Sequence, residues 1–202
     1  MILFYQEPLS TTFFGAAGDR TEPMKYHYTT IMHLAFILLD GHLKPSRREA
    51  HGDHREGLLW FSTNNRMEMT ARKGLAAMIR FGTNDERIKH WRPQARRVGF
   101  DSGTMRRLER SGRKMGAKPS EWLAMNGALS IEDVAIIEMN VESGWESLDL
   151  DNIRVKPVAG GAVELIGVAG LAAVVARQRT PEGYFAYGTN AALYRPERIL
   201  VG

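Results

Sequence analysis

Cysteine is absent from the 202 residues, which removes disulfides, a thiolate nucleophile and any cysteine-ligated zinc site, and leaves His, Asp and Glu to hold a metal. No apolar run reaches the roughly 18 residues a bilayer-spanning helix needs. The N-terminus also lacks the basic start and continuous apolar stretch of a secretory signal. The chain is therefore expected to be soluble and cytoplasmic. Missing too are G-x-S-x-G, G-x-x-x-x-G-K-[ST] and H-E-x-x-H, so no familiar nucleophile elbow, phosphate loop or metalloprotease helix is available. There is no internal repeat and no low-complexity tract. Neither sign of charge dominates: the formal net charge is +4 and the pI about 9.5, which favours contact with a polyanion without deciding anything alone.

What is present suffices for one sizeable core, with 44% of residues hydrophobic. Residues 1–23 have no defensible periodicity and read as a flexible arm, followed by a single domain over 24–202. That domain opens on Lys25-Tyr26-His27-Tyr28-Thr29-Thr30, a short strand by residue type. It runs into Ile31–Asp40, which places Ile31, Leu34, Ala35, Leu38 and Leu39 on one helical face. Thr29 or Thr30 is the expected N-cap and Asp40-Gly41 the left-handed stop. His27 and the threonines thus fall near a helix N-terminus, where an anionic group such as a phosphate is favoured.

Further along, 42–57 is a long polar loop. It contains His51-Gly52-Asp53-His54, a possible metal cluster that lacks a fourth ligand and reads more simply as a polar surface loop; no metal is assigned. Leu58–Thr63 reads as a strand and Glu68–Ile79 as a helix, with Met69, Leu75, Ala76 and Ile79 apolar. Arg96–Phe100 reads as a short strand. Between Gly103 and Gly116 a helix with one apolar edge carries Arg106, Arg107, Arg110, Arg113 and Lys114, either a solvated face or a docking surface. Pro119–Met125 and Val134–Met139 read as strands, and so do Ile153–Pro157, Ala162–Val168, Leu171–Arg177 and Tyr184–Gly188. Helices early and strands late indicate an α+β fold.

Three places resemble the ADP-ribosyltransferase superfamily, its DNA-modifying toxin branch and related bacterial and phage proteins in particular. Tyr26-His27-Tyr28-Thr29-Thr30 with the following helix is similar to the family's opening strand and its NAD-contacting histidine. Trp60-Phe61-Ser62-Thr63-Asn64 resembles the second motif, which lines the nicotinamide pocket. Ser120-Glu121-Trp122-Leu123-Ala124, with Leu129-Ser130 beyond, resembles the segment that bears the catalytic glutamate. Together they span about 25–143 and leave 151–202 as a strand-rich C-terminal extension. Phe61 stands where one class of the family has tyrosine, and Ser62-Thr63 resembles the class that opens with arginine.

The resemblance implies a split mixed or antiparallel sheet with flanking helices, NAD as ADP-ribose donor, and transfer to a macromolecular acceptor, nucleic acid ahead of protein. Glu121 would be catalytic, and His27, Tyr28, Thr29, Phe61, Ser62 and Thr63 would line the NAD site. Chemistry fits those residue types: a carboxylate stabilises the cationic sugar that forms when a glycosidic bond breaks, an aromatic face stacks on nicotinamide, and hydroxyls bond its amide. Arg106, Arg107 and Arg110 would hold a polyanionic substrate. Glu138 and Glu142 also fall around a strand end and compete with Glu121. By residue type alone, His27 and Phe61 fit a packed strand equally well. A different class of function stays open: a non-catalytic nucleic-acid-binding protein, or a phage-type inhibitor acting by protein contact, on the same scaffold.

Overall fold

The computed structural model describes residues 23–45, 57–71, 78–141, 143–157, 163–168, 171–180 and 183–188, with the backbone alone from 168 onward. The chain is α+β, with three α-helices and thirteen strands among these residues, every pairing antiparallel. The opening strand β1 (Lys25–Thr30) passes directly into α1 (Ile31–Asp40), which stops at Gly41 in the left-handed conformation, as Asp40-Gly41 predicts. Thr30 is the N-cap by position, but its hydroxyl meets His33 Nδ1 at 3.1 Å and makes no side-chain cap bond.

Four further strands, β2 (His42–Leu43), β3 (Leu58–Ser62), β4 (Met78–Thr83) and β5 (Lys89–His90), precede α2 (Trp91–Arg97) and α3 (Ser102–Lys114). The rest is β6 (Trp122–Asn126), β7 (Leu129–Ser130), β8 (Ile136–Val141), β9 (Gly144–Ser147), β10 (Arg154–Pro157), β11 (Val163–Val168), β12 (Leu171–Thr180) and β13 (Gly183–Gly188). A seven-stranded sheet runs β5-β6-β3-β1-β4-β8-β9, a four-stranded meander runs β10-β11-β12-β13, and β2 pairs with β7. Within the large sheet β1 and β4 share six register pairs, whereas β1 and β3 share one, Tyr26 with Ser62.

Side-chain alternation gives the sheet two covered faces. Leu59, Phe61, Ile79, Phe81, Met125, Ile137 and Met139 pack with Ile31, Leu34, Ala35 and Phe36 of α1, and Val163 and Leu165 of β11 close the same core. Val163 and Leu165, with Ile153 and Val155 packed against the cluster, thus bring the segment after 151 into that core. The other face, at the β3–β6 end, carries Leu58, Trp122 and Ala124 against Trp91 and Ala95 of α2, Met105 of α3, and Phe100 and Ala117. Gly112 is what lets α3 lie on Trp122, because a Cβ there would overlap the indole ring.

Three expectations are corrected. Glu68–Ile79 is not one helix: Met69–Ala71 is a turn, 72–77 lie outside the described residues, and Met78-Ile79 begins β4. All six residues of β4 are buried because the strand sits between β1 and β8 with both faces covered, and that tertiary setting overrides a helical spacing of four apolar residues. Nor is Arg96–Phe100 a strand. It is the end of α2, where Gly99 at φ 92° lets the Phe100 N–H reach the Ala95 carbonyl (2.9 Å) and its own N–H reach that of Arg96 (3.0 Å). The same closure ends α3 at Gly116. Pro119–Glu121, expected as the start of a strand, is a single 3-10 turn leading into β6.

Candidate active site

Register places the three resembling segments side by side. Tyr26 pairs with Ser62 and Ser62 with Trp122, so β1, β3 and β6 meet in one row. One step beyond it, the Thr63 N–H donates to the Glu121 carbonyl at 3.0 Å. Ser62, Thr63 and Glu121 are therefore neighbours at the same strand ends.

Alternation then divides the expected NAD set. His27 pairs with Phe81 and Thr29 with Ile79, which places both, with Phe61, on the α1 face. The His27 ring stands edge-on to Phe61 at 5.7 Å, and its Nδ1–H donates to the Trp60 carbonyl at 2.8 Å, which fixes that tautomer. Phe61 is 3% exposed, so it is a core residue and not a stacking surface, contrary to the expectation. Tyr28 and Ser62 lie on the opposite face. The Tyr28 hydroxyl donates to the Asn64 carbonyl, and the Ser62 hydroxyl, fully buried, accepts from the Asn64 N–H at 3.1 Å. Asn64 Oδ1 in turn accepts from the Arg66 N–H at 2.9 Å, so the segment after β3 is held by its own polar groups. Thr63 is exposed.

Glu121 closes the 3-10 turn. Its Oε1 accepts from Lys118 Nζ at 3.3 Å, while Oε2 is buried with no hydrogen-bond partner among the described residues. Three indole N–H groups share that condition, those of Trp60, Trp91 and Trp122. Their rings pack on one another with centroids 5.6 to 6.0 Å apart. The Glu121 oxygen and these three donors are unmet hydrogen-bonding capacity of a kind that native interiors rarely carry.

Glu138, the competing carboxylate, has a partner. Arg80 Nε donates to its Oε2 at 2.5 Å, with both side chains mostly buried, and Arg80 also donates to the Asn65 carbonyl. The guanidinium is layered between Tyr26 at 4.7 Å and Trp145 at 4.4 Å, and the Trp145 indole donates to the Arg66 carbonyl at 2.7 Å. Burial pushes the neighbouring Tyr28 phenol up to about 12, against the opposing pull of Arg80. Sequence reasoning missed this cluster. The alternation of Tyr26 and Tyr28 is its one sequence signal, since Arg80 and Trp145 are brought there by long-range pairing. Glu142 and the segment 51–54 lie outside the described residues.

Arg106, Arg107 and Arg110 are exposed on α3. Arg106 and Arg110 line a surface depression of about 580 Å³ together with Arg92, Glu109, Arg113 and Lys114. Arg107 is not among its lining residues and donates to the Thr104 hydroxyl at 2.8 Å. Among the described residues no helix is long and apolar enough to cross a membrane. Comparison with family models, with curated proteins and with solved structures returns no match.

Proposed function

We propose that the chain is an NAD-dependent ADP-ribosyltransferase acting on a macromolecular acceptor, with Glu121 as its catalytic carboxylate. The observation that carries this reading is the position of Glu121, beside Ser62-Thr63 at the end of β3 and β6, with one carboxylate oxygen buried and unpaired among the described residues. The carboxylate as a whole is a quarter exposed and is held only loosely by Lys118, so it keeps acceptor capacity for a ribose hydroxyl and negative charge to set against a cationic sugar, and NAD fits those acceptors. In the reaction the bond between ribose C1′ and the nicotinamide nitrogen breaks, and its electron pair leaves with neutral nicotinamide. An acceptor nucleophile then bonds to C1′ and its proton passes to solvent or to a base on the acceptor. Glu121 stabilises positive charge on the sugar during this exchange. His27 supports the β1 side through its bond to the Trp60 carbonyl, and Thr63 lies open at the strand end.

The test is transfer of labelled ADP-ribose to components of a cell extract, with release of nicotinamide as a second readout. Glu121→Gln is expected to lower both by about 10²-fold or more, the scale of losing one electrostatic contact to a transition state. Its thermal stability should stay close to that of the parent, because the one pairing lost among the described residues is the partly exposed one with Lys118. Unchanged transfer in Glu121→Gln would remove this residue from the mechanism.

A further inference from the structure

We infer that the depression between α3 and the start of α2 is a docking site for the phosphate backbone of a single-stranded nucleic acid. It is lined by five cations, Arg92, Arg106, Arg110, Arg113 and Lys114, against one carboxylate, Glu109. That carboxylate is spent. Glu109 is buried, its Oε1 accepts from Arg92 at 2.6 to 2.7 Å, and its Oε2 lies 3.7 Å from Arg113. Glu109 therefore holds two guanidinium groups in place and presents little negative charge of its own, while Arg106, Arg110 and Lys114 have no carboxylate partner among the described residues.

Spacing points to a linear polyanion. Arg106, Arg110, Arg113 and Lys114 follow one another at three and four residues or less along one side of α3, so at 1.5 Å per residue the cations extend over about 12 Å. A row of charges on that scale matches successive phosphates on a strand better than one compact anion. The surface is concave and lies between two helices, whereas a duplex presents a broad convex cylinder whose phosphates are spread over two strands. A single strand can lie in the depression and meet the row with consecutive phosphates. Charge complementarity defines this surface independently of the transfer reaction.

The experiment is fluorescence anisotropy of a labelled mixed-sequence single-stranded oligonucleotide, titrated with the full chain across a range of salt concentrations. The double reversal Arg106→Glu/Arg110→Glu is compared with Arg154→Glu/Lys156→Glu, which changes net charge equally at exposed positions of β10. The groove variant should lose affinity at least about tenfold, with a salt dependence shallower by about 1.4 in log–log slope, two phosphate contacts' worth on a single strand. The β10 variant should keep both. Equal losses in the two variants, tighter binding to the duplex form, or no binding at low salt would each overturn the proposal. Nicotinamide release is not read in this assay. Binding without transfer would therefore leave a nucleic-acid-binding protein, and transfer without binding would leave the enzyme with a different acceptor.

Discussion

Tyr28 carries a charge-state consequence that can be measured. Its folded pKa of about 12 lies above the ordinary phenol value of 10.0, chiefly because burial disfavours the phenolate. The folded state therefore holds a proton that the unfolded chain releases first, and stability must fall as pH rises through the window from about 10 to 12, with no pH dependence from this group below it. Tyr28→Phe should be less stable than the parent near neutral pH by about 1 kcal/mol, the value of the lost bond to the Asn64 carbonyl. Across the alkaline window it should lose less than the parent does, and denaturant midpoints at a series of pH values would show the two curves converge. Parallel curves would mean that Tyr28 ionises like an exposed phenol. At this scale the site was half legible. Glu121 and Thr63 each stand one residue beyond a strand end, and the resemblance set them together. The placing of His27 and Phe61 on one face and Tyr28 and Ser62 on the other was implicit in alternation, but it acquires meaning only once strand order is known.

Elements differ in how openly they declare themselves. The helix α1 has a continuous apolar stripe and a glycine stop, and α3 an amphipathic spacing with Asp101 accepting from the Thr104 N–H at its start, so both were readable. In contrast α2 spans seven residues, with Pro93 in its first turn, and Trp91 and Ala95 are its buried apolar residues, too few for a period. Strand β4 includes a buried arginine and a glycine, residues that a strand is not expected to favour. What makes Arg80 tolerable there is the carboxylate opposite it: Arg80 and Glu138 face each other across β4 and β8. Removing one partner leaves a charge buried, so Glu138→Gln should cost about 3 kcal/mol in urea unfolding. The double change Arg80→Met/Glu138→Leu should recover most of that loss, because apolar side chains of similar size avoid the desolvation altogether. Retained transfer per folded molecule in Glu138→Gln would separate it from Glu121. A double variant as unstable as the single one would show that the pair does more than neutralise itself.

For the whole molecule, strand order was not readable, because β3, β1 and β4 are joined through residues far apart in the chain. The resemblance stops near 143 and leaves the strands after 151 as an extension of the single domain, and Val163 and Leu165 of that extension are 2% and 1% exposed in the core beneath α1. Burying two such side chains is worth about 1.5–3 kcal/mol each. That is a large share of the 5–15 kcal/mol that a domain typically has in hand. A chain ended at residue 150 should therefore lose cooperative thermal unfolding and near-UV circular dichroism, whereas a truncated chain that melts like the parent would make the meander an appendage. The single Tyr26–Ser62 pair has a consequence of another kind. By its backbone ladder the large sheet is two leaves, one of three strands and one of four, that share a single stitch, and side chains span the seam: the His27 ring reaches the Trp60 carbonyl, and Tyr28, Arg80 and Trp145 reach the carbonyls of Asn64, Asn65 and Arg66. The edge between β1 and β3 is therefore held by side-chain bonds and by the shared core beneath α1, where β1 and β4 are held by a full ladder. That seam ends at Ser62, one residue before Thr63 bonds Glu121, so the candidate site stands where the two leaves are joined by side chains and not by a ladder.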